Sequence, residues 1–148
     1  MYDITKKRAT ETASIDLVTG EGAPLLDDNN KQLSVTVHGP GSKVWKQADA
    51  ERSRRRTARI EKNRGRISAA LEHAGEDDID FLVAITVSFN GWDYPNPAKG
   101  ENDEPLPWPS QRDMFRAAYA DDGIGYIRDH VRTEATDWSA FTKGSAKN

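Results

Sequence analysis

The chain contains no cysteine. That excludes a disulfide scaffold, a thiol nucleophile and every Cys-ligated zinc or iron–sulfur site. Histidine is scarce. His38, His73 and His130 fall in separate segments without an acidic or histidine partner at ligand spacing, so no metal site is expected. Long apolar runs are also missing. The longest, Phe81 to Phe89, is interrupted by Thr86 and Ser88 and falls well short of the roughly 20 residues a membrane span needs. The segment Met1 to Arg8 has no apolar stretch, so no secretory leader is expected. The glycine pairs Gly20/Gly22 and Gly123/Gly125 lack the further glycine or the Lys-Ser/Thr that makes a phosphate loop. No serine lies in a nucleophile-elbow context. Carboxylates are plentiful, but they sit at turns and helix starts, where capping and solvation account for them. The expectation is a protein that is not an enzyme and uses no cofactor.

What is present is 148 residues, 36% hydrophobic and 30% charged, with a net charge of −3. That length suits one soluble domain, and the lean apolar content predicts a small core. Charge is unevenly spread. Lys43 to Arg66 holds ten basic and three acidic residues, +7 in all, which leaves the rest of the chain at −10. A basic rod beside an acidic remainder can satisfy itself within one chain or between copies. As a nucleic-acid contact the rod would bind phosphates by counterion release. The acidic net charge and the lack of interleaved aromatics argue against nucleic acid and for a solvated helix face or a protein contact.

Periodicity predicts an α+β fold that is mainly α-helical. Residues 1–12 are polar and read as a flexible N-terminus. Ile15/Leu17 and Leu33/Val35/Val37 alternate with polar neighbours, so 13–38 reads as a small antiparallel sheet or hairpin of two or three strands. Ala23 to Leu26 is a candidate strand within it, and Asp27 to Asn30 is a turn. Ser42 is placed to cap a long basic helical segment over 42–74, with Gly65 as an interruption and Gly75 as a stop. Residues 77–89 read as a buried helix; the β-branched Ile85, Thr86 and Val87 keep a strand as the alternative. Five prolines make 91–109 a long loop whose ends Trp92, Tyr94 and Trp108 would be pinned to the core. Ser110 caps the next helix, with Met114, Phe115, Ala118 and Tyr119 on its apolar face. A last helix from Ile124 through Phe141 completes a helical core over 77–141. Residues 143–148 read as a flexible tail, and 13–142 as one domain.

The order of these features resembles a known family. The segment Phe81-Leu82-Val83-Ala84-Ile85-Thr86-Val87-Ser88-Phe89-Asn90-Gly91-Trp92 reads as an apolar helix ending in an aromatic-Asn-Gly-Trp turn. Glu104 to Ser110 is a Pro-rich loop, followed by Met114-Phe115 and Tyr119, then by Ile124 to Val131 and Trp138-Ser139-Ala140-Phe141. The chain is similar in this to the tail assembly chaperones of long-tailed, siphovirus-type bacteriophages. The similarity is strongest over 80–141. Phe89, Gly91, Trp92, Trp108 and Ser110 carry it as structural positions. Arg112-Asp113 and the long acidic loop 93–104 depart from the family's pattern.

The resemblance implies a non-catalytic role. Such proteins coat the tape-measure protein in the host cytoplasm, keep it soluble while tail-tube subunits assemble around it, and are absent from the mature virion. The implied partners are the tape-measure protein, the tail-tube protein, a longer form made by ribosomal frameshifting, and further copies of the chain; no membrane is implied. Ala146-Lys147-Asn148 can be encoded by GCA-AAA-AAC, which contains a slippery string. The expected client surface is the exposed side of the final two helices, around Phe115, Tyr119, Tyr126, Ile127 and Trp138. Core packing is the competing reading for each of these. Arg54, Arg55, Arg56 and Arg59 are the expected electrostatic partner site. The alternatives are a virion structural protein, such as a tail-tube or head–tail connector subunit, and a nucleic-acid-binding accessory protein.

Overall fold

The computed structural model describes residues 1–143, apart from the side chain of Ala69. The expected tail beyond Lys143 and the Ala146-Lys147-Asn148 string lie outside the described residues. The fold is mixed α+β, mainly helical, with a three-stranded antiparallel sheet. The strands β1 (Thr12–Asp16), β2 (Ser34–His38) and β3 (Thr86–Asn90) lie in that order across the sheet. Ile15 pairs with Val35, and Val35 with Phe89. Period-two alternation buries Ile15, Val35 and Val37 on the helical side. The outer face is polar. There the Asn90 amide donates to Thr36 Oγ1 at 2.9 Å and Ser34 Oγ at 3.0 Å.

The connection between β1 and β2 is tightly turned. Asp27 Oδ1 accepts from the backbone of Asn29 (2.8 Å) and Lys31 (3.0 Å), as the Asp-Asn run predicts. Ala23 to Leu26 forms isolated bridges rather than a strand. The first residues are not featureless: Ile4–Lys7 is a 3-10 turn, and the Thr10 amide donates to the Phe141 carbonyl at 2.8 Å.

Helix α1 (Lys43–Lys62) starts at the Ser42 cap, whose hydroxyl accepts the Trp45 amide at 3.2 Å. It ends where Arg64 and Gly65 take positive φ, and α2 (Ile67–Glu72) follows. Gly75 does not stop the helical segment. It lies in the first turn of α3 (Ala74–Ile85), which Glu76 and Asp77 favour at the positive helix end.

The buried helix expected over 77–89 is half right. It ends at Ile85, and Thr86 to Asn90 turns directly into β3. Two causes converge. The β-branched Ile85-Thr86-Val87 run is costly to keep helical, and β2 offers an edge that this segment completes. The Thr86 hydroxyl donates to the Leu82 carbonyl at 2.7 Å and closes the helix end.

Residues 91–109 hold no helix or strand; Trp92 pins the first end to the core as expected, whereas Trp108 ties the second end to Tyr94 within the loop itself. Gly91 at φ +85° turns the chain so that Trp92 stacks on Phe89 with ring centres 3.9 Å apart. Trp92 Nε1 donates to the Ser34 carbonyl (3.0 Å), and Trp108 Nε1 to the Tyr94 carbonyl (2.6 Å). Ser110 caps α4 (Gln111–Ala120).

The last helix is interrupted. Helix α5 (Gly125–Ala135) is preceded by a 3-10 turn and followed by a break before α6 (Ser139–Thr142). The cause is local: Thr136 Oγ1 bonds back to the Arg132 carbonyl, and Asp137 Oδ1 takes the Ser139 amide to start a new turn. One cluster forms the core, joining the sheet's inner face to Phe81, Leu82, Ile85, Tyr119, Val131 and Phe141. Phe141 fills the space over Gly39, where an added Cβ would lie 2.4 Å from its ring. No helix among the described residues is long and apolar enough to cross a membrane.

Candidate functional site

The aromatic surface expected on the final helices is largely core. Phe115, Tyr119 and Ile127 are buried, at 3%, 1% and 6% exposure. This corrects their assignment to an exposed client face. The reason is helical phase: the same three-and-four spacing that makes an apolar stripe turns that stripe inward against α3 and the sheet. Phe115 sits against Phe89, with ring centres 4.7 Å apart. Tyr119 places its hydroxyl 2.7 Å from Thr86 Oγ1. Tyr126 and Trp138 are exposed but do not form one patch. Tyr126 lies in the first turn of α5, and Trp138 lies beyond that helix's last turn, against Gly41.

The basic rod is mostly spoken for. Arg52, Arg55 and Arg59 recur every three or four residues, so they share one stripe of α1. That stripe faces the acids that open α3. Arg52 Nη1 donates to Asp78 Oδ1 at 3.1 Å, and Arg132 of α5 reaches the other Asp78 oxygen at 3.0 Å. Arg55 and Arg116 of α4 both bind Asp80. Arg59 binds Asp77, a carboxylate only 2% exposed. The Arg52 guanidinium also lies 4.1 Å over the Phe81 ring, a cation–π contact. The segment expected as an electrostatic partner site therefore latches α1 onto α3, whose Asp80 and Asp78 also hold α4 and α5 through Arg116 and Arg132. Of the predicted arginines, Arg54 pairs within its own helix with Glu51. Arg56 is exposed and makes no ion pair among the described residues.

A cleft of about 160 Å³ remains beside this latch, lined by Arg52, Arg55, Asp77, Asp80, Arg112 and Arg116. Each lining Asp is already engaged by an arginine. These ion pairs hold α1 and α4 to α3.

An apolar surface that the sequence reading missed lies on α2. Ile67 and Leu71 are 67% and 70% exposed, and their i,i+4 spacing puts them side by side. Ala70, between them in sequence, is buried and holds the helix down. The signal was available. A two-residue apolar pair follows a Gly break, on a segment too short to bury both faces. Charge matching between Arg52/Arg55/Arg59 and Asp77/Asp78/Asp80 was legible in the same way. Among the described residues no group of three or more metal-ligating side chains converges. Comparison with family models, with curated proteins and with solved structures finds no match.

Proposed function

We propose that this chain is a tail assembly chaperone of a long-tailed bacteriophage. In this reading it is a non-catalytic protein that binds the tape-measure protein in the host cytoplasm, keeps it soluble, and leaves before the virion is complete. The reading rests on the resemblance over 80–141. The structural observation that carries it is the exposed Ile67/Leu71 pair at the end of the helical arm. An amphipathic helical client would lay its apolar face against such a pair, with Trp138 and Tyr126 as further exposed apolar positions. Phe115, Tyr119 and Ile127 leave the proposed surface, because they are buried in the core. Partner roles for the tail-tube protein, a frameshifted longer form and further copies of the chain remain part of the same proposal.

The test is co-expression with the tape-measure protein of the same genome. The client is expected to become soluble and to co-purify. Ile67→Ser with Leu71→Ser is expected to abolish this while leaving thermal stability within about 0.5 kcal/mol, as befits exposed positions. A client that stays insoluble beside well-folded protein, together with the protein's presence in purified particles, would replace the chaperone reading by that of a virion subunit.

A further inference from the structure

Strand β1 is an edge of the sheet, and its outer side faces a groove of about 480 Å³. The register shows which backbone groups look into it. The Leu17 amide donates to the Leu33 carbonyl and the Gly39 amide to the Glu11 carbonyl, so residues 11 and 17 face the β2 side. By antiparallel alternation Ala13 and Ile15 also face β2, while Thr10, Thr12, Ser14 and Asp16 face outward. Two of these outward positions are already capped. The Thr10 amide goes to the Phe141 carbonyl, and the Asp16 carbonyl accepts from His130 Nε2 at 2.9 Å. Between those caps, the amides of Thr12, Ser14 and Asp16 and the carbonyls of Thr12 and Ser14 have no partner among the described residues.

Edge strands are ordinarily defended by a proline, a lysine, a bulge or a covering element. The sequence Thr12-Ala13-Ser14-Ile15-Asp16 has neither proline nor lysine, and its pairing with β2 is regular. The opposite edge, β3, is instead irregular: its register slips between Ser88 and Thr86, opposite Thr36 and Val37 of β2. Helices α5 and α6 flank β1 without covering it, through His130, Glu134 and Ala140. A groove between an edge strand and a flanking helix has the shape that accepts one added strand.

We propose that β1 is a strand-addition site for an extended, basic peptide segment of a partner protein. The occupant's chemistry follows from the lining. Ala13, Ile15 and Ala140 offer an apolar floor to alternate side chains. Asp16 and Glu134 make no ion pair among the described residues and outnumber the one lysine present, Lys143. In antiparallel addition the first peptide residue lies opposite Asp16, where a lysine would be favoured. A second copy of this chain fits less well, because its own α5 and α6 would arrive at the same place as these helices. The inference is independent of the chaperone reading.

The probe is an end-blocked pentapeptide, Lys-Val-Thr-Val-Thr. In this register its third and fifth amides donate to the Ser14 and Thr12 carbonyls, while its second and fourth amides point away. Titration into the full chain, followed by NMR, should shift the amides of Thr12, Ser14 and Asp16 and the ring of His130. N-methylation at positions three and five should weaken binding about tenfold or more, and N-methylation at two and four should not. Replacing the peptide's lysine by glutamate should weaken it further. Ser14→Pro, which removes an outward amide from an edge strand, should also abolish binding. The unaltered protein with the methylated peptides decides the matter even if that variant does not fold. Equal effects of the two methylation patterns would overturn the proposal. So would a peptide-free dimer in which the Thr12, Ser14 and Asp16 amides are already protected from exchange.

Discussion

Tyr119 is the largest side chain that the described core encloses completely, and its hydroxyl has to be satisfied there. Thr86 gives its own proton to the Leu82 carbonyl and so accepts from Tyr119. Burial pushes the phenol well above its usual range, only partly offset by the Thr86 bond. An unfolded tyrosine ionises near 10. The folded state keeps this proton when the unfolded state releases it. The stability Tyr119 contributes is therefore complete below about pH 10 and declines as pH rises beyond that value. Tyr119→Phe should cost about 1 kcal/mol at pH 7 and flatten the loss of stability between about pH 10 and 12. Denaturant melts of both proteins across that range check it; parallel curves would refute the assignment. Asp77 and Arg59 give a second residue-scale test. Arg59→Ala strands a carboxylate at 2% exposure and should cost about 3 kcal/mol. Asp77→Ala should cost clearly less, because the Arg59 side chain keeps 26% exposure and can turn to water. Equal losses in urea melts would show that the pair is not desolvated on one side.

At the scale of elements, what depended on local chemistry was legible. Ser42 and Ser110 cap helices because a hydroxyl before a run of helix formers has few other uses. The alternation over 33–37 could only be a half-buried strand. What depended on a distant partner was not legible. The β-branched run left a strand open as the alternative over Thr86 to Asn90, but what decides for it is that β2 lies beside it, and no window of sequence contains that fact. Phe115, Tyr119 and Ile127 were ambiguous for a related reason, since spacing shows that a helix has an apolar face but not whether another element covers it. The basic helix shows the same limit, and separates two arginines that sequence cannot. Arg55 is bound to Asp80 on α3, whereas Arg56 faces solvent. Arg55→Glu puts like charges together and should lower stability by about 1–2 kcal/mol, whereas Arg56→Glu should change it by less than about 0.5 kcal/mol. If Arg56→Glu nonetheless weakens client capture in the co-expression assay, the exposed side of α1 belongs to the binding surface. Unchanged capture at low salt removes it.

At the scale of the whole molecule, α1 is fastened by two different forces along its length. Its first turn is held by packing: Trp45 meets Phe81 edge-on at 5.4 Å and donates Nε1 to the Ala135 carbonyl. Beyond that turn α1 has no fully buried residue; Ala48 packs against the core, and further along the main contacts are those of Arg52, Arg55 and Arg59 with the α3 acids. Half-buried Ile60 and buried Ala70 supply apolar burial near the far end, where α2 exposes Ile67 and Leu71. Ion pairs weaken with salt and packing does not, since screening shortens from about 8 Å at physiological ionic strength to about 3 Å at 1 M. The arm should therefore loosen from its α2 end inward as salt rises, while the sheet and α3 to α5 stay closed. Hydrogen exchange at 0.05 M and 1 M sodium chloride should show amides over 56–72 exchanging several-fold faster at high salt, with little change in β2 or α5. If the arm also carries the client surface, capture should fall over the same salt range. Uniform acceleration across all elements would mean that α1 is integral to the core. No acceleration anywhere would mean that Ile60 and Ala70, not the arginines, hold the arm in place.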